Sequence, residues 1–130
     1  MSTLSGGAVI YAKDRLKVAA FYEQVAGMRL RHSADDFVVL ESGGFQLVVI
    51  QAPPRIAETL VIASPPERRE QAAIKPVFYV DDFARARGAA ARCGGALNAA
   101  AREWSFGDTR VCDGTDPEGN VFQLRVASKS

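Results

Sequence analysis

The sequence contains few of the side chains that usually bind metal ions or form disulfides. Its 130 residues include one histidine and two cysteines. The histidine is His32, and the cysteines, Cys93 and Cys112, lack the CxxC spacing of a zinc or redox motif. Two free thiols are typical of a protein kept in a reducing compartment, so we expect a cytoplasmic protein without disulfides.

Neither an excess of one charge nor a long apolar run is present. The 16 basic and 15 acidic side chains give a net charge of +1, and the basic residues are spread along the chain, unlike those of a nucleic-acid-binding surface. No apolar run approaches the ~20 residues of a membrane span, and the first residues lack the basic and apolar segments of a signal peptide. We therefore expect neither nucleic acid nor a membrane as a partner.

The hydrophobic residues that are present suffice for one compact domain. They make up 48% of the chain, which is enough for a core at this length. No long polar tract indicates disorder. We expect a single domain over residues 1–130.

The first half of the chain reads as a strand, a helix and three strands. A short strand at residues 8–12 leads to Asp14, which we expect to cap a helix over residues 15–26. Apolar residues recur in that helix at the i, i+4, i+7 spacing of one buried face, and Gly27 is suited to end it. Strand-like runs then occupy residues 28–32, 37–41 and 45–51.

A proline-containing connector over residues 52–74 separates the two halves. It is long for a structureless loop in a compact domain. Within it, residues 59–63 (TLVIA) fit either a short strand or an arm, and the charged residues 67–70 fit a solvated turn or a short helix.

The second half repeats the order of the first. A strand at residues 77–80 leads to Asp81 and Asp82, which we expect to cap a helix that ends at Gly94 and Gly95. The expected buried face of this helix consists of Phe83, Ala86, Ala90 and Cys93. A strand edge, a loop and a hairpin follow at residues 96–100, 102–106 and 107–126. One strand–helix–three-strand unit cannot cover both faces of its sheet, so the two units must pair, within the chain or across a dimer.

The final hairpin carries the most specific motif. Its turn, residues 116–120 (DPEGN), combines a proline that presets the first corner with a glycine that can take a left-handed conformation. The following strand presents Val121, Gln123 and Arg125 on one face and Phe122, Leu124 and Val126 on the other.

This hairpin, with the Phe21-Tyr22 pair that precedes Gly27 in the first helix, resembles the vicinal oxygen chelate superfamily. That superfamily is the glyoxalase, bleomycin-resistance and extradiol-dioxygenase group. The resemblance covers nearly the whole chain. It implies an α+β fold in which two βαβββ modules, about residues 7–51 and 75–126, form a curved mixed β-sheet with a cleft. It also implies a homodimer.

The resemblance further implies where a metal site of this family would lie. Metal-dependent members carry a His near the start of the first strand of each module and a Glu in the last strand. Those positions fall on Gly7, Lys75 and Gln123, and the fourth position, on the strand at residues 45–51, offers only Gln46. Glycine has no ligand atom, a Lys ammonium has no free lone pair, and divalent metals prefer imidazole and carboxylate donors. We therefore expect no metal and no other cofactor.

Two candidate catalytic side chains fit a structural role better. His32 lies near Asp35 and Asp36 and would serve as a general base with a carboxylate partner, but a surface turn is the simpler interpretation. Cys112 lies in a predicted strand, two residues after Arg110. A reactive thiol needs an electropositive, partly open site, and a strand cysteine is more often a small core residue.

The remaining charged candidates also have simpler explanations, and we expect no catalytic residue. Helix capping and turn formation account for the two carboxylate pairs, Asp81 with Asp82 and Asp113 with Asp116. Arg102 and Arg110 fit either an anionic ligand or a solvated surface.

Aromatic and amide side chains are the better candidates for a binding site. Trp104 and Phe106 lie in an otherwise polar loop, where aromatic residues either line a ligand pocket or cover the core. Tyr11 and Tyr79 occupy equivalent positions in the two modules. Together with Gln123 they either face one cleft or lie beneath the helices. Strand alternation alone does not decide which face of the sheet lines the cleft.

The resemblance and these residues together predict a metal-free, small-molecule-binding protein similar to bleomycin resistance proteins. Such a protein would sequester or recognise a polar, aromatic ligand. One alternative is an enzyme of the superfamily, a lyase, isomerase or dioxygenase, with atypical metal ligands. Another is a regulatory or structural domain whose own side chains fill its cleft.

Overall fold

The computed structural model describes residues 3–63 and 65–127, and in them the predicted order of elements occurs twice. The first module contains β1 (Gly6–Ala12), α1 (Arg15–Ala26), β2 (Arg29–Ser33), β3 (Phe37–Ser42) and β4 (Phe45–Gln51). A short helix, α2 (Pro54–Ala57), follows in the connector. The second module contains β5 (Val77–Tyr79), α3 (Phe83–Arg92), β6 (Ala96–Leu97), β7 (Trp104–Phe106), β8 (Thr109–Thr115) and β9 (Val121–Ala127). Residues 1–2 and 128–130 of the predicted domain, and residue 64 of the predicted connector, lie outside the described residues.

Each module forms one mixed sheet with the same strand order. In the first sheet the order is β1-β4-β3-β2, and in the second it is β5-β9-β8-β6, with β7 also paired to β8. The first strand of each module runs parallel to the last, and the other pairs are antiparallel. The predicted α+β fold with two βαβββ modules is confirmed.

The helix boundaries follow from local capping. Asp14 accepts a hydrogen bond from the Lys17 backbone N–H at 3.1 Å, and Asp82 accepts one from the Ala84 N–H at 2.9 Å. Both satisfy N–H groups that have no partner inside the helix. Gly27 ends α1 with φ of 66°, a left-handed conformation that glycine adopts without strain.

The two modules share one hydrophobic core between their helices and sheets. From α1, the Phe21 ring lies 5.5 Å from that of Phe122 and the Tyr22 ring lies 5.4 Å from that of Phe78, both in the second sheet. Phe78 also meets Phe45 of the first sheet at 5.7 Å. The helix of one module therefore covers part of the sheet of the other, which is how two half-covered units complete each other.

Of the alternatives left open in the connector, residues 59–63 form no strand and residues 67–70 form no helix. Two other local expectations were wrong. The predicted loop at 102–106 contains β7, which pairs antiparallel with β8 from Trp104 opposite Val111 to Phe106 opposite Thr109. Cys93, expected to be buried on α3, is only half-buried at the helix end, and Ala89 is buried instead.

None of the helices in residues 3–63 and 65–127 is long and apolar enough to cross a membrane.

The β8–β9 turn binds the first helix through two buried carboxylates. Glu118 accepts the backbone N–H groups of Lys13 and Asp14, both at 2.8 Å. Asp116 accepts the Tyr22 hydroxyl at 2.8 Å and three bonds from Glu118 and Asn120. Removal from water raises the pKa of the Asp116 carboxyl above its usual range, although these hydrogen bonds act in the opposite direction. Four donors thus offset part of the cost of burying this group.

We expect Glu118→Gln to lower the free energy of unfolding by about 1–3 kcal/mol, because one backbone N–H would then face an amide NH₂ and remain unsatisfied. Urea denaturation followed by circular dichroism measures the change. Glu58→Gln, at an exposed site, serves as the control and should stay within about 0.5 kcal/mol of the parent. Equal stability of both variants would contradict the structural role of Glu118.

Candidate functional site

Four of the five predicted binding residues lie on the open face of the second sheet. Side chains of directly paired residues point to the same side of a sheet, and Gln123 pairs with both Val77 and Asp113. Two residues further along β9, Arg125 pairs with Tyr79 of β5, which places Tyr79 on the same face. The same face continues onto β7 through Trp104 and Phe106. The opposite face carries Phe122 and Leu124, which are fully buried against the helices.

The aromatic residues of this open face are exposed. Tyr79 is 64% exposed, Phe106 60% and Trp104 39%. Tyr11, the fifth predicted residue, is 67% exposed and lies on β1 of the first sheet. It pairs with Ile50, so it lies on the face opposite to the one that carries the buried Leu47 and Val49. None of these four side chains packs on the core beneath a helix or loop. The two tyrosines, whose orientation alternation did not decide, therefore lie on the sheet faces turned away from the helices.

A chain of hydrogen bonds connects the polar groups of the second sheet's open face. The Lys75 ammonium lies 2.6 Å from Asp113 Oδ2, and Gln123 donates through Nε2 to Asp113 Oδ1 at 3.1 Å. Arg125 donates through Nε to Gln123 Oε1 at 2.8 Å, and its guanidinium lies 4.9 Å from the centre of the Phe106 ring. The Gln123 amide is therefore fixed in one orientation, and the Arg125 guanidinium lies over an aromatic ring.

Sequence reasoning missed three members of this chain, Lys75, Asp113 and Arg125, as parts of a site. Strand alternation already places Arg125 on the same face as Gln123, so its membership of the site could have been predicted from the sequence. The register of the hairpin puts Asp113 opposite Gln123, which counting back from the turn would have given. The contact of Lys75 with Asp113 joins residues far apart in the chain and carries no local signal.

The residues at the family's metal positions do not fit a divalent cation. A Cβ on Gly7 would lie 2.5 Å from the backbone oxygen of Gln46, so this position has no room for a ligating side chain without a backbone shift. Lys75 places an ammonium beside the Asp113 carboxylate. Among residues 3–63 and 65–127, no group of three or more His, Cys, Asp or Glu side chains is arranged to hold a metal.

A cavity of about 800 Å³ lies between β1 and the segment 69–77 that leads into β5. Its walls include Val9, Tyr11 and Phe45 from the first module. Lys75 lines the cavity and also belongs to the polar chain of the second sheet. Lys75 therefore connects the cavity to the polar chain. Of the five predicted binding residues, Tyr11 lines the cavity, and Tyr79, Trp104, Phe106 and Gln123 lie outside its walls.

The other sequence candidates lie outside this site. His32 is exposed on β2, with its ring 5.6 Å from that of Phe37. Arg110 contacts Glu103 and Ser105, and Arg102 is exposed. Two carboxylates of the predicted pairs have structural roles, because Asp82 caps α3 and Asp116 holds the turn.

Cys112 is a core residue. Its side chain is fully buried on the helix-facing side of β8, opposite Leu124. Burial raises the pKa of this thiol above its usual value, even though Arg87 nearby acts against the shift. A protonated, buried thiol is a poor nucleophile.

Comparison with known proteins agrees with the fold. A model of the glyoxalase-like domain matches residues 7–125. A search of the curated proteins finds no match. A glyoxalase/bleomycin resistance protein/dioxygenase family enzyme from Burkholderia phytofirmans superposes with a TM-score of 0.64 at 22% identity, over 93% of this chain and 96% of that one.

Two resistance proteins have similar structures. The bleomycin resistance determinant encoded on the transposon Tn5 superposes with a TM-score of 0.62 at 16% identity, over 98% of this chain and all of that one. The fosfomycin resistance protein FosX from Listeria monocytogenes gives 0.65 at 15% identity, over 100% and 94%. At these identities the likeness concerns the fold alone.

We expect the purified, untagged protein to contain no stoichiometric metal after incubation with manganese, iron, nickel or zinc, because Gly7, Lys75 and Gln123 supply no suitable donor set. Elemental mass spectrometry measures the content. A Gln123→Glu variant is the matched test of the donor count and should remain metal-free, since one added carboxylate does not replace two missing ligands. One tightly held ion per parent chain would contradict this assignment.

Proposed function

Because the chain belongs to the glyoxalase-like domain family of the vicinal oxygen chelate superfamily, we propose that it binds a small polar, aromatic molecule without a metal ion. The observation that carries the proposal is a cavity of about 800 Å³ that adjoins a sheet face with exposed aromatic side chains. This volume lies in the range of about 300–1,000 Å³ that is usual for small-molecule sites. Sequestration or recognition of the ligand requires no further chemistry.

The side chains of the open face suit stacking combined with hydrogen bonding. Trp104, Phe106 and Tyr79 offer large aromatic surfaces that cost little conformational entropy to order. Gln123 lies between the two charged ends of the polar chain, with its amide already oriented by Asp113 and Arg125. A site whose polar groups are held in place before binding loses less entropy when the ligand arrives.

The comparisons are compatible with binding and with catalysis. One protein of similar fold is named for bleomycin resistance and another for fosfomycin resistance. An enzyme with atypical metal ligands remains the alternative function for this chain. The pairing of Lys75 with Asp113 favours binding, because it places the site's carboxylate in an ion pair rather than leaving it free for a metal or a proton transfer.

The same proposal includes a homodimer in a reducing cytoplasm. The open face of the first sheet is mostly apolar, and at β1 it adjoins the cavity wall. In register across β1, β4 and β3 it presents Val9, Val48 and Val39, then Tyr11, Ile50 and Phe37. Pairing two such faces would remove this apolar area from water. Both cysteines are free thiols, which agrees with a reducing compartment.

We expect at least one compound in a broad small-molecule panel to raise the melting temperature of the protein, because a ligand that binds only the folded state stabilises it. Trp104→Ala should weaken that compound about tenfold through loss of the aromatic contact. The melting temperature of the Trp104→Ala variant without ligand should change little, since Trp104 is partly exposed. Leu30→Ala, at an exposed apolar position of β2, is the control and should bind normally. A panel without a single hit would favour a domain whose cleft binds nothing.

We expect light scattering after size exclusion to give about twice the 14.0 kDa of one chain. Val48→Arg should shift the mass toward the monomer, because a charge in the middle of the apolar face cannot be buried without a partner. Leu16→Arg, on the exposed side of α1, should leave the mass unchanged. A monomeric parent protein at micromolar concentration would refute the dimer.

A further inference from the structure

The cavity between β1 and residues 69–77 has positively charged but no negatively charged side chains in its described walls. Its polar side chains, apart from the Tyr11 hydroxyl, are Arg69, Lys75 and Asn120. The remaining surface is mostly apolar and includes Phe45, Ile74 and Val121. A neutral, apolar ligand would need none of these cations, and a cationic ligand would be repelled by them.

Arg69 is held in place by its backbone and by one of its guanidinium nitrogens. Its backbone N–H donates to Gly119 O at 2.9 Å, and its Nε donates to Glu118 O at 3.2 Å. Within the described chain, no hydrogen bond or ion pair engages its Nη1 or Nη2 atoms. A guanidinium fixed at one edge with two free amino groups is suited to donate hydrogen bonds to two oxygens of one anionic group.

Lys75 supplies a second cation with donors to spare. Its ammonium pairs with Asp113 at 2.6 Å, while its side chain remains 40% exposed. An ammonium carries three N–H donors, and Asp113 occupies one of them. Because Asp113 neutralises one of the two positive charges, the pair of cations favours a ligand with a single negative charge.

We propose that this cavity binds an organic anion, with a carboxylate or sulfonate head held by Arg69 and Lys75 and an apolar, aromatic body against the β1 wall. This inference rests on the proposed function and adds the chemical class of the ligand. The apolar walls strengthen it, since a charge pair that is partly removed from water interacts more strongly than one on an open surface.

Two fluorescent probes that share one ring system test whether the site prefers a negatively charged ligand. 8-Anilinonaphthalene-1-sulfonate carries a sulfonate, and N-phenyl-1-naphthylamine is the same aromatic body without it. The sulfonate should bind the parent protein about tenfold more tightly than the neutral probe, the effect of one charge-assisted hydrogen-bonded contact. Added salt should reduce this difference, because the cations are partly exposed.

Arg69→Gln should weaken the sulfonate about tenfold and leave the neutral probe unchanged. Arg92→Gln removes the same charge from an exposed position at the end of α3 and should change neither affinity. Arg69→Lys keeps the charge and should retain most of the sulfonate binding, which separates loss of charge from misfolding. Ala72→Trp, which fills the cavity, should abolish binding of both probes if they occupy it.

The outcomes distinguish this inference from the function on which it rests. Equal affinity for the two probes, or sulfonate binding that Arg69→Gln leaves unchanged, would overturn the anionic ligand while binding of the neutral probe still supports a small-molecule site. Failure of both probes and of every compound in the panel would overturn the proposed function as well. Probe binding that survives Ala72→Trp would show that the cavity is not the site.

Discussion

The structure depends on two buried carboxylates in the turn between β8 and β9. Glu118 accepts the backbone N–H groups that precede α1, where a negative charge is favoured by the helix dipole. Asp116 accepts the Tyr22 hydroxyl from the same helix. The second module thus fixes the position of the first helix, and with it the distance between β1 and the segment that leads into β5. The cavity lies between β1 and this segment, where the two sheets are not joined by strand pairing.

The same turn also positions part of the candidate site. Arg69 is bound to the backbone oxygens of Glu118 and Gly119, so the hydrogen bonds that join the modules also anchor a cation in the cavity wall. Gly119 is in a left-handed conformation, and a Cβ there would lie 1.9 Å from the backbone oxygen of Glu67. Three residues of the DPEGN motif therefore have a structural role. Gly119 provides the left-handed conformation and permits the close approach, and Asp116 and Glu118 anchor the first helix.

Sequence reasoning predicted what local signals determine and missed what the register and the connector determine. The caps at Asp14 and Asp82 and the alternation of the strands were sufficient to place both modules, because each signal acts within a few residues. The three-residue strand β7 has no sequence period to detect, and its place depends on β8. The faces of Tyr11 and Tyr79 could not be chosen, since alternation gives a period and the buried side depends on the helices. Arg69 was not considered because the path of a connector is fixed by distant contacts.

The residues at the family's metal positions are coupled to one another. The Lys75 ammonium pairs with one oxygen of the largely buried Asp113 carboxylate. The second oxygen of Asp113 then needs a donor, and the Gln123 amide provides it, while the amide oxygen accepts from Arg125. A glutamate at position 123 would set a second carboxylate against Asp113, with no metal to separate the two charges. An amide is the group of this size that can donate to Asp113 and accept from Arg125 at once. The Lys75 ammonium therefore explains the glutamine, and the resulting chain holds the Lys75 and Arg125 cations in place in a site that offers no ligand set for a metal.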